Sequence, residues 1–219
     1  NPYTFGYFPQ MKHPPVARFT HDLLVYEATA LPPRYQGRVF GVAPLQSQVT
    51  ISERQPHGSS FQTHDVGHAF TTDDSWCRPV HIQSGPDGNI YVADFYEQRI
   101  DHSSHYQGRI DQRSGRIYRI ASATTAPPAN RQTINLVGLS TTELLTTLQS
   151  PNRWLRETAL RIIGERRDES DKSTEASLRH MLRDPATHFP LDCLWALNAV
   201  GGLGNATSLE LLGHIDPFV

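Results

Sequence analysis

The hydrophobic pattern of the chain changes its period near residue 122, and this change constrains the fold more than any other feature. Before it, short β-prone runs alternate with turn signals. After it, leucines and isoleucines recur at the spacing of amphipathic helices. The sequence therefore predicts strands followed by helices. The predicted strands are residues 23–27, 38–43, 48–53, 60–65, 79–83, 89–95 and 115–120.

The two halves are separated by a segment without apolar periodicity. Residues 122–133 read SATTAPPANRQT and include the pair Pro127-Pro128, a composition typical of linkers. We therefore predict a domain of residues 1–121, a linker of residues 122–134 and a second domain of residues 135–219.

The second half repeats a helical unit. Pro151, Pro185 and Pro217 each follow an amphipathic run, at spacings of 34 and 32 residues. This period suits tetratricopeptide units, but their Trp, Leu-Gly and Tyr pattern is missing, which favours short HEAT-like hairpins that stack on one another. The last unit stops after one helix, so we expect a truncated solenoid. Its predicted helices are residues 141–149, 152–165, 173–183 and 190–200, with a fifth from about 206.

Composition narrows the classes of partner. A net charge of -2 leaves no basic excess for a nucleic-acid backbone, so no nucleic-acid partner is expected. The longest apolar runs are far shorter than the roughly 20 residues that span a bilayer, so no transmembrane segment is expected in this chain. Cys77 and Cys193 form no Cys-x-x-Cys pattern, and we predict two buried thiols without a disulfide. Trp154 and Trp195 are predicted to pack in the helical core.

Three stretches resemble known families. RPVHIQSGPDGNIYVADFYEQRI, residues 78–100, resembles the strand-turn-strand of NHL-type and quinoprotein sugar dehydrogenase propellers, and residues 21–44 resemble the preceding blade. SPNRWLRETALRIIGERRD, residues 150–168, resembles the first HEAT unit after such a propeller in planctomycete and verrucomicrobial membrane-bound dehydrogenase-like proteins. The resemblance implies a fragment with a mixed, two-domain fold: C-terminal blades of an all-β propeller followed by an all-α HEAT-like solenoid.

The resemblance also implies a function. The parent protein would be an exported, periplasmic oxidoreductase acting on a sugar or alcohol, with pyrroloquinoline quinone and calcium as its cofactors. It would pass electrons to a cytochrome c domain, with haem c, outside this chain. The alternative is a non-catalytic scaffold that binds a carbohydrate or protein partner through the propeller face or HEAT surface. Because this segment holds no complete catalytic constellation, we expect it to be inactive alone.

Two candidate sites follow. By the resemblance, Arg78 would bind quinone carboxylates, although the family's other cations are missing at Trp76 and near Pro44; alternatively, Arg78 braces backbone carbonyls. Asp87 and Gly88 are interpreted as a hairpin corner. A second candidate, for a metal ion or a ligand, comes after a predicted strand, with a solvated loop as the alternative. Its residues are Asp94, Asp101, His102 and His105.

One charged cluster is interpreted without a functional role. Arginines and acidic residues alternate along the second predicted helix, a pattern typical of a solvated helix face with mixed ion pairs. The arginines of this cluster are Arg153, Arg156, Arg161, Arg166 and Arg167.

Overall fold

A computed structural model describes residues 20–58, 60–98, 106–108, 111, 113–123, 134–167 and 172–219. The strands are β1 (Asp22–Val25), β2 (Val39–Ala43), β3 (Gln48–His57), β4 (Ser60–Thr71), β5 (Pro79–Ser84), β6 (Ile90–Asp94) and β7 (Ile117–Ile120). The helices are α1 (Thr141–Thr147), α2 (Arg153–Glu165), α3 (Lys172–Arg183), α4 (Pro190–Ala199) and α5 (Asn205–Leu211).

The first sheet is an antiparallel meander in the order β1-β2-β3-β4. Its buried face carries Tyr26, Phe40, Val42 and Val49, each no more than 1% exposed. Because β2 pairs only with residues 48–52 of β3, the distal parts of β3 and β4 pair only with each other in the part of the chain described. The described residues of this part, 53–58 and 60–64, form a two-stranded hairpin arm. Its tip region carries Phe61, which is 55% exposed and lies under the Arg54 guanidinium.

The second sheet is also antiparallel, in the order β5-β6-β7. It packs against the first sheet, and Asp22 at the start of β1 links the two. The Asp22 carboxylate accepts hydrogen bonds from the backbone N–H groups of Leu23 (2.8 Å) and Ile82 (3.1 Å), and it lies 2.7 Å from His81 Nδ1. Burial opposes ionisation of Asp22, but these bonds lower its pKa below the usual value.

Side-chain caps begin the first two helices. Ser140 and Glu143 form a capping box at α1, in which each side chain bonds the backbone N–H of the other residue. Asn152 caps α2, its Oδ1 accepting from the Trp154 N–H at 3.0 Å. All five helices contribute to one core. Its helical members include Leu144, Leu148, Ala159, Ile162, Ile163, Leu178, Leu182, Ala196, Leu197 and Leu211.

The expected propeller followed by a HEAT solenoid is wrong. Within the described residues, the strands form two small open sheets of four and three strands, and neither closes. The five helices share a single core cluster beside these sheets. The chain is therefore a mixed protein with two small antiparallel sheets and five helices.

Individual elements follow the sequence more closely. Each strand and helix overlaps its predicted range, and residues 85–88 form the predicted corner between β5 and β6. Of the two tryptophans predicted in the core, Trp154 is partly buried against it. Trp195 is 47% exposed, so that prediction is wrong. No helix among the described residues combines the length and apolar character that crossing a bilayer requires.

Candidate functional site

The turn between β5 and β6 is a contact point for three parts of the molecule. Gly88 has a φ of +75°, which only glycine adopts freely, and its N–H closes the turn by bonding Gly85 O at 2.9 Å. The Tyr26 hydroxyl, from the first sheet, donates to Gly88 O at 2.9 Å. Asn152 Nδ2, at the start of α2, donates to the carbonyls of Gly85 (3.3 Å) and Pro86 (3.0 Å). The turn therefore holds sheet and helices together.

A buried ionic cluster lies at the same junction. Arg156, whose side chain is 4% exposed, donates from Nη2 to Glu27 Oε2 at 2.8 Å and from Nη1 to Ser150 O at 2.9 Å. Its Nε faces Asp192 Oδ2 at 3.4 Å, an ion-pair distance without hydrogen-bond geometry. The guanidinium also stacks on Phe189, 3.8 Å from the ring centroid. The interpretation of Arg156 as part of a solvated face is therefore wrong.

The pKa of Asp192 is shifted by its position in this cluster. Burial raises the pKa of Asp192, and the negative charge of Glu27 raises it further, while Arg156 acts in the opposite direction. Arg156 is the buried cation of this cluster, and the partly exposed Arg153 is a second one, 3.8 Å from Glu27 Oε1. Arg161, in contrast, forms an exposed pair with Glu165 at 2.6 Å, as the sequence predicts.

Arg78 forms a bracing network with backbone carbonyls. Its Nη1 lies 3.2 Å from Ser47 Oγ and 3.3 Å from the carbonyls of Pro44 and Cys77. Its Nη2 donates to Gln98 O at 2.8 Å. These contacts match the bracing alternative, and binding of a quinone by Arg78 stays a prediction. Arg78 Nε is buried without a hydrogen-bond partner.

Asp94, the described member of the predicted metal site, is adjacent to Arg78. Its Oδ1 accepts from the backbone N–H groups of Arg78 (2.8 Å) and Tyr96 (2.9 Å), whereas Oδ2 is buried without a partner. The other predicted ligands, Asp101, His102 and His105, lie outside the described residues. Among the residues that are described, no three His, Cys, Asp or Glu side chains are grouped as metal ligands. The metal site stays a prediction.

Both cysteines are fully buried and unreactive in character. Burial, followed by the negative charge of Asp94, raises the pKa of Cys77 to about 11. Burial and the neighbouring Asp192 raise the pKa of Cys193 to about 12. Neither thiol is ionised near neutral pH, as a nucleophile or metal ligand would need to be. Both cysteines are free, as predicted.

A cleft of about 360 Å³ opens at the side of the first sheet. Its floor is apolar and includes Leu31, Phe40 and Ile51, each buried. Three separate parts of the chain form its walls: a short helical turn at Pro33–Tyr35, the proximal part of β4, and the end of β7 with residues 121–123. This volume lies within the range of about 300–1,000 Å³ that is usual for small-molecule sites.

The polar side chains at the cleft are an arginine, a tyrosine and a histidine. Arg34 lies over the Tyr35 ring, 4.8 Å from its centroid, and donates to the Tyr35 hydroxyl at 3.1 Å. His68 lines the cleft from β4. Within the described residues, no Asp or Glu lines the cleft and Arg34 makes no ion pair. The sequence analysis did not identify these residues, although the run Pro32-Pro33-Arg34-Tyr35 restricts the backbone beside a cation and an aromatic ring.

A larger groove, of about 590 Å³, lies between the α3–α4 connection and α5. The charge of its arginine is balanced within the protein. Arg183 forms a two-bond ion pair with Glu210, at 2.6 Å and 2.7 Å. His214 is held by Leu182 O (2.9 Å) and by the Asp216 N–H (3.0 Å). The smaller cleft beside Arg34 is therefore the better candidate for a ligand site.

Fold and site together define a mixed sheet-and-helix protein with a cleft of small-molecule size. The chain belongs to the family described as a domain of unknown function (DUF7133), whose profile matches residues 11–124, more than half of the chain. The match includes the whole first sheet and every lining residue of the cleft. No curated protein and no solved structure matches the chain.

Proposed function

We propose that this chain is a non-catalytic binding module and that the cleft beside Arg34 receives the part of the partner that is recognised. The observation that supports this proposal is the contrast between two arginines. The guanidinium of Arg78 is held by three carbonyls and a hydroxyl. The guanidinium of Arg34 lies at an apolar cleft with a tyrosine hydroxyl as its described hydrogen-bond partner.

The architecture suits such a role. The cleft is built on the first sheet, and the buried cluster around Arg156 fixes that sheet to the helices. A site on a rigid support loses little conformational entropy when it binds, because its side chains are already ordered. The partner is a carbohydrate or a protein, as expected from the sequence, and the cleft would hold one apolar group of it.

An NMR fragment screen of the chain tests this proposal. Small neutral alcohols, amides and methyl glycosides are added singly while the backbone amide signals are followed. We expect shifts to concentrate at Leu31, Tyr35, Ala69 and Ile120. The variant Ala69→Phe, which fills the cleft, should abolish them, whereas Phe61→Ala, on the exposed hairpin arm, should leave them unchanged. Shifts that are absent, or that occur elsewhere, would refute the cleft as the site.

The absence of catalysis has its own test. Calorimetric titration of the chain with pyrroloquinoline quinone and calcium should show no binding of micromolar or tighter affinity, because the carbonyls that hold the Arg78 guanidinium compete with the quinone carboxylates. Tight binding that Arg78→Ala removes would contradict this proposal and would favour the dehydrogenase-like interpretation.

A further inference from the structure

The cleft combines an apolar floor with a cation at its rim, and this combination selects for a class of ligand. Phe40 and Ile51 are 1% and 6% exposed and present only carbon to the cleft. Arg34 and His68 are both exposed at its walls. A ligand that covers the floor and contacts the rim must therefore be apolar at one end and an acceptor of hydrogen bonds at the other.

The arrangement of Arg34 favours an anion over a neutral acceptor. Its guanidinium is held by stacking on Tyr35, so the remaining N–H donors lie in one plane. A carboxylate accepts two parallel bonds from such a plane, and these charge-assisted bonds are about twice as strong as neutral ones. Among the described residues, no Asp or Glu lines the cleft to compete for these bonds.

We infer that the cleft binds a small amphipathic carboxylate, with its carboxylate on Arg34 and its apolar group against the partly exposed Ala69 and Ile120, above the buried Phe40 and Ile51. This inference rests on the proposed function, since it names the ligand class of that same site. We assign the carboxylate to the apolar C-terminal residue of a protein partner, in keeping with the proposed function; a free organic acid presents the same chemistry to the cleft, and the test separates the two.

Hexanoate and its neutral counterpart hexanamide are the probes, titrated against the whole chain and followed by backbone amide shifts. We expect hexanoate to bind at least tenfold more tightly than hexanamide. Arg34→Gln should remove most of this preference. Arg54→Gln is the matched control, because Arg54 also lies over an aromatic ring, 4.7 Å from the Phe61 centroid, but outside the cleft.

Four outcomes separate the claims. Equal affinity for the two probes in the cleft overturns the inference and leaves the proposed function standing. An unchanged preference for hexanoate in Arg34→Gln also overturns it. Failure of both probes to shift any cleft amide overturns the inference, and it overturns the proposed function as well if the neutral fragments also fail. The tripeptide acetyl-Ala-Ala-Leu is the last probe. If it binds more tightly than hexanoate, and if the same peptide with a C-terminal amide does not, the inference is supported and the carboxylate is that of a chain end.

Discussion

Replacement of Arg156 by alanine tests how the sheets and helices are held together. The substitution removes the cation between Glu27 and Asp192 and also the stacking on Phe189. Breaking a buried ion pair costs about 3 to 5 kcal/mol of unfolding free energy, and here the loss comes mainly from Asp192, which stays buried, since Glu27 is partly exposed and keeps Arg153 at 3.8 Å. With a urea slope of about 2 to 3 kcal/mol per molar, the midpoint should fall by about 1 to 2 M.

The control for this measurement is Arg161→Ala on the same helix. Arg161 and Glu165 are both 58% exposed, and exposed pairs of this spacing contribute only about 0.3 to 0.5 kcal/mol. Arg156→Lys should fall between the two, since it keeps the charge but loses the planar stacking and the paired donors. If Arg156→Ala lowered the midpoint no more than Arg161→Ala does, the cluster would contribute nothing to stability and our reasoning would be wrong.

The pH dependence of this loss can also be predicted. The pKa of Asp192 is already raised, and it should rise further when Arg156 no longer favours the ionised form. A group whose pKa is higher in the folded state stabilises the fold below its unfolded pKa, near 3.8 for Asp192, and this stabilisation is lost as pH rises through the folded pKa. The difference between Arg156→Ala and wild type should therefore be largest at pH 7 and should shrink towards pH 4.

Three further predictions concern other contacts. Asn152→Ala should lower the unfolding free energy by about 2 kcal/mol, because Asn152 both caps a helix and bonds the β5–β6 turn. Ser140→Ala, which removes only a helix cap, should lower it by about 1 kcal/mol, and chemical denaturation of the two variants tests the difference. Cys77 and Cys193 should resist a thiol reagent at pH 8 in the folded protein, and both should react in urea; rapid labelling of the native chain would contradict their raised pKa values. Asp22→Asn should destabilise the protein by about 1 kcal/mol at pH 7. Because the pKa of Asp22 is lowered below 3.8 in the folded state, this difference from wild type should disappear as the pH falls through that pKa. Thermal melts at several pH values measure it.

Local features of the fold could be predicted from the sequence because their causes are local. The corner at Gly88 was predicted from its turn residues, and the helix that begins at Thr141 was predicted from its apolar spacing; the capping box at Ser140 is equally local but was not identified. The distal part of β3 was missed, since Arg54 to His57 is polar and contains Pro56, which usually argues against a strand. Among the described residues this part of β3 pairs with β4 alone, so the proline lies at a sheet edge, where it is tolerated.

The arrangement of these elements could not be predicted in the same way. Turn chemistry indicates which strands are adjacent but not whether a sheet closes, so the resemblance led to a propeller that the two open sheets contradict. Arg156 was assigned to a solvated face because its sequence neighbours carry balancing charges, whereas its actual partners come from distant segments. The cleft was missed for the same reason, since its walls come from three separate segments.

The ionic cluster also has a consequence for the order of folding. Glu27 and Arg156 are separated by 129 positions, so their pairing closes a long chain loop. Loop closure of this size has an entropic cost that nearby contacts avoid, so each sheet and the helical core should form before the junction does. Contacts that form after the transition state affect unfolding rates much more than folding rates. The cluster around Arg156 would then slow the unfolding of the assembled protein and have little effect on its folding rate.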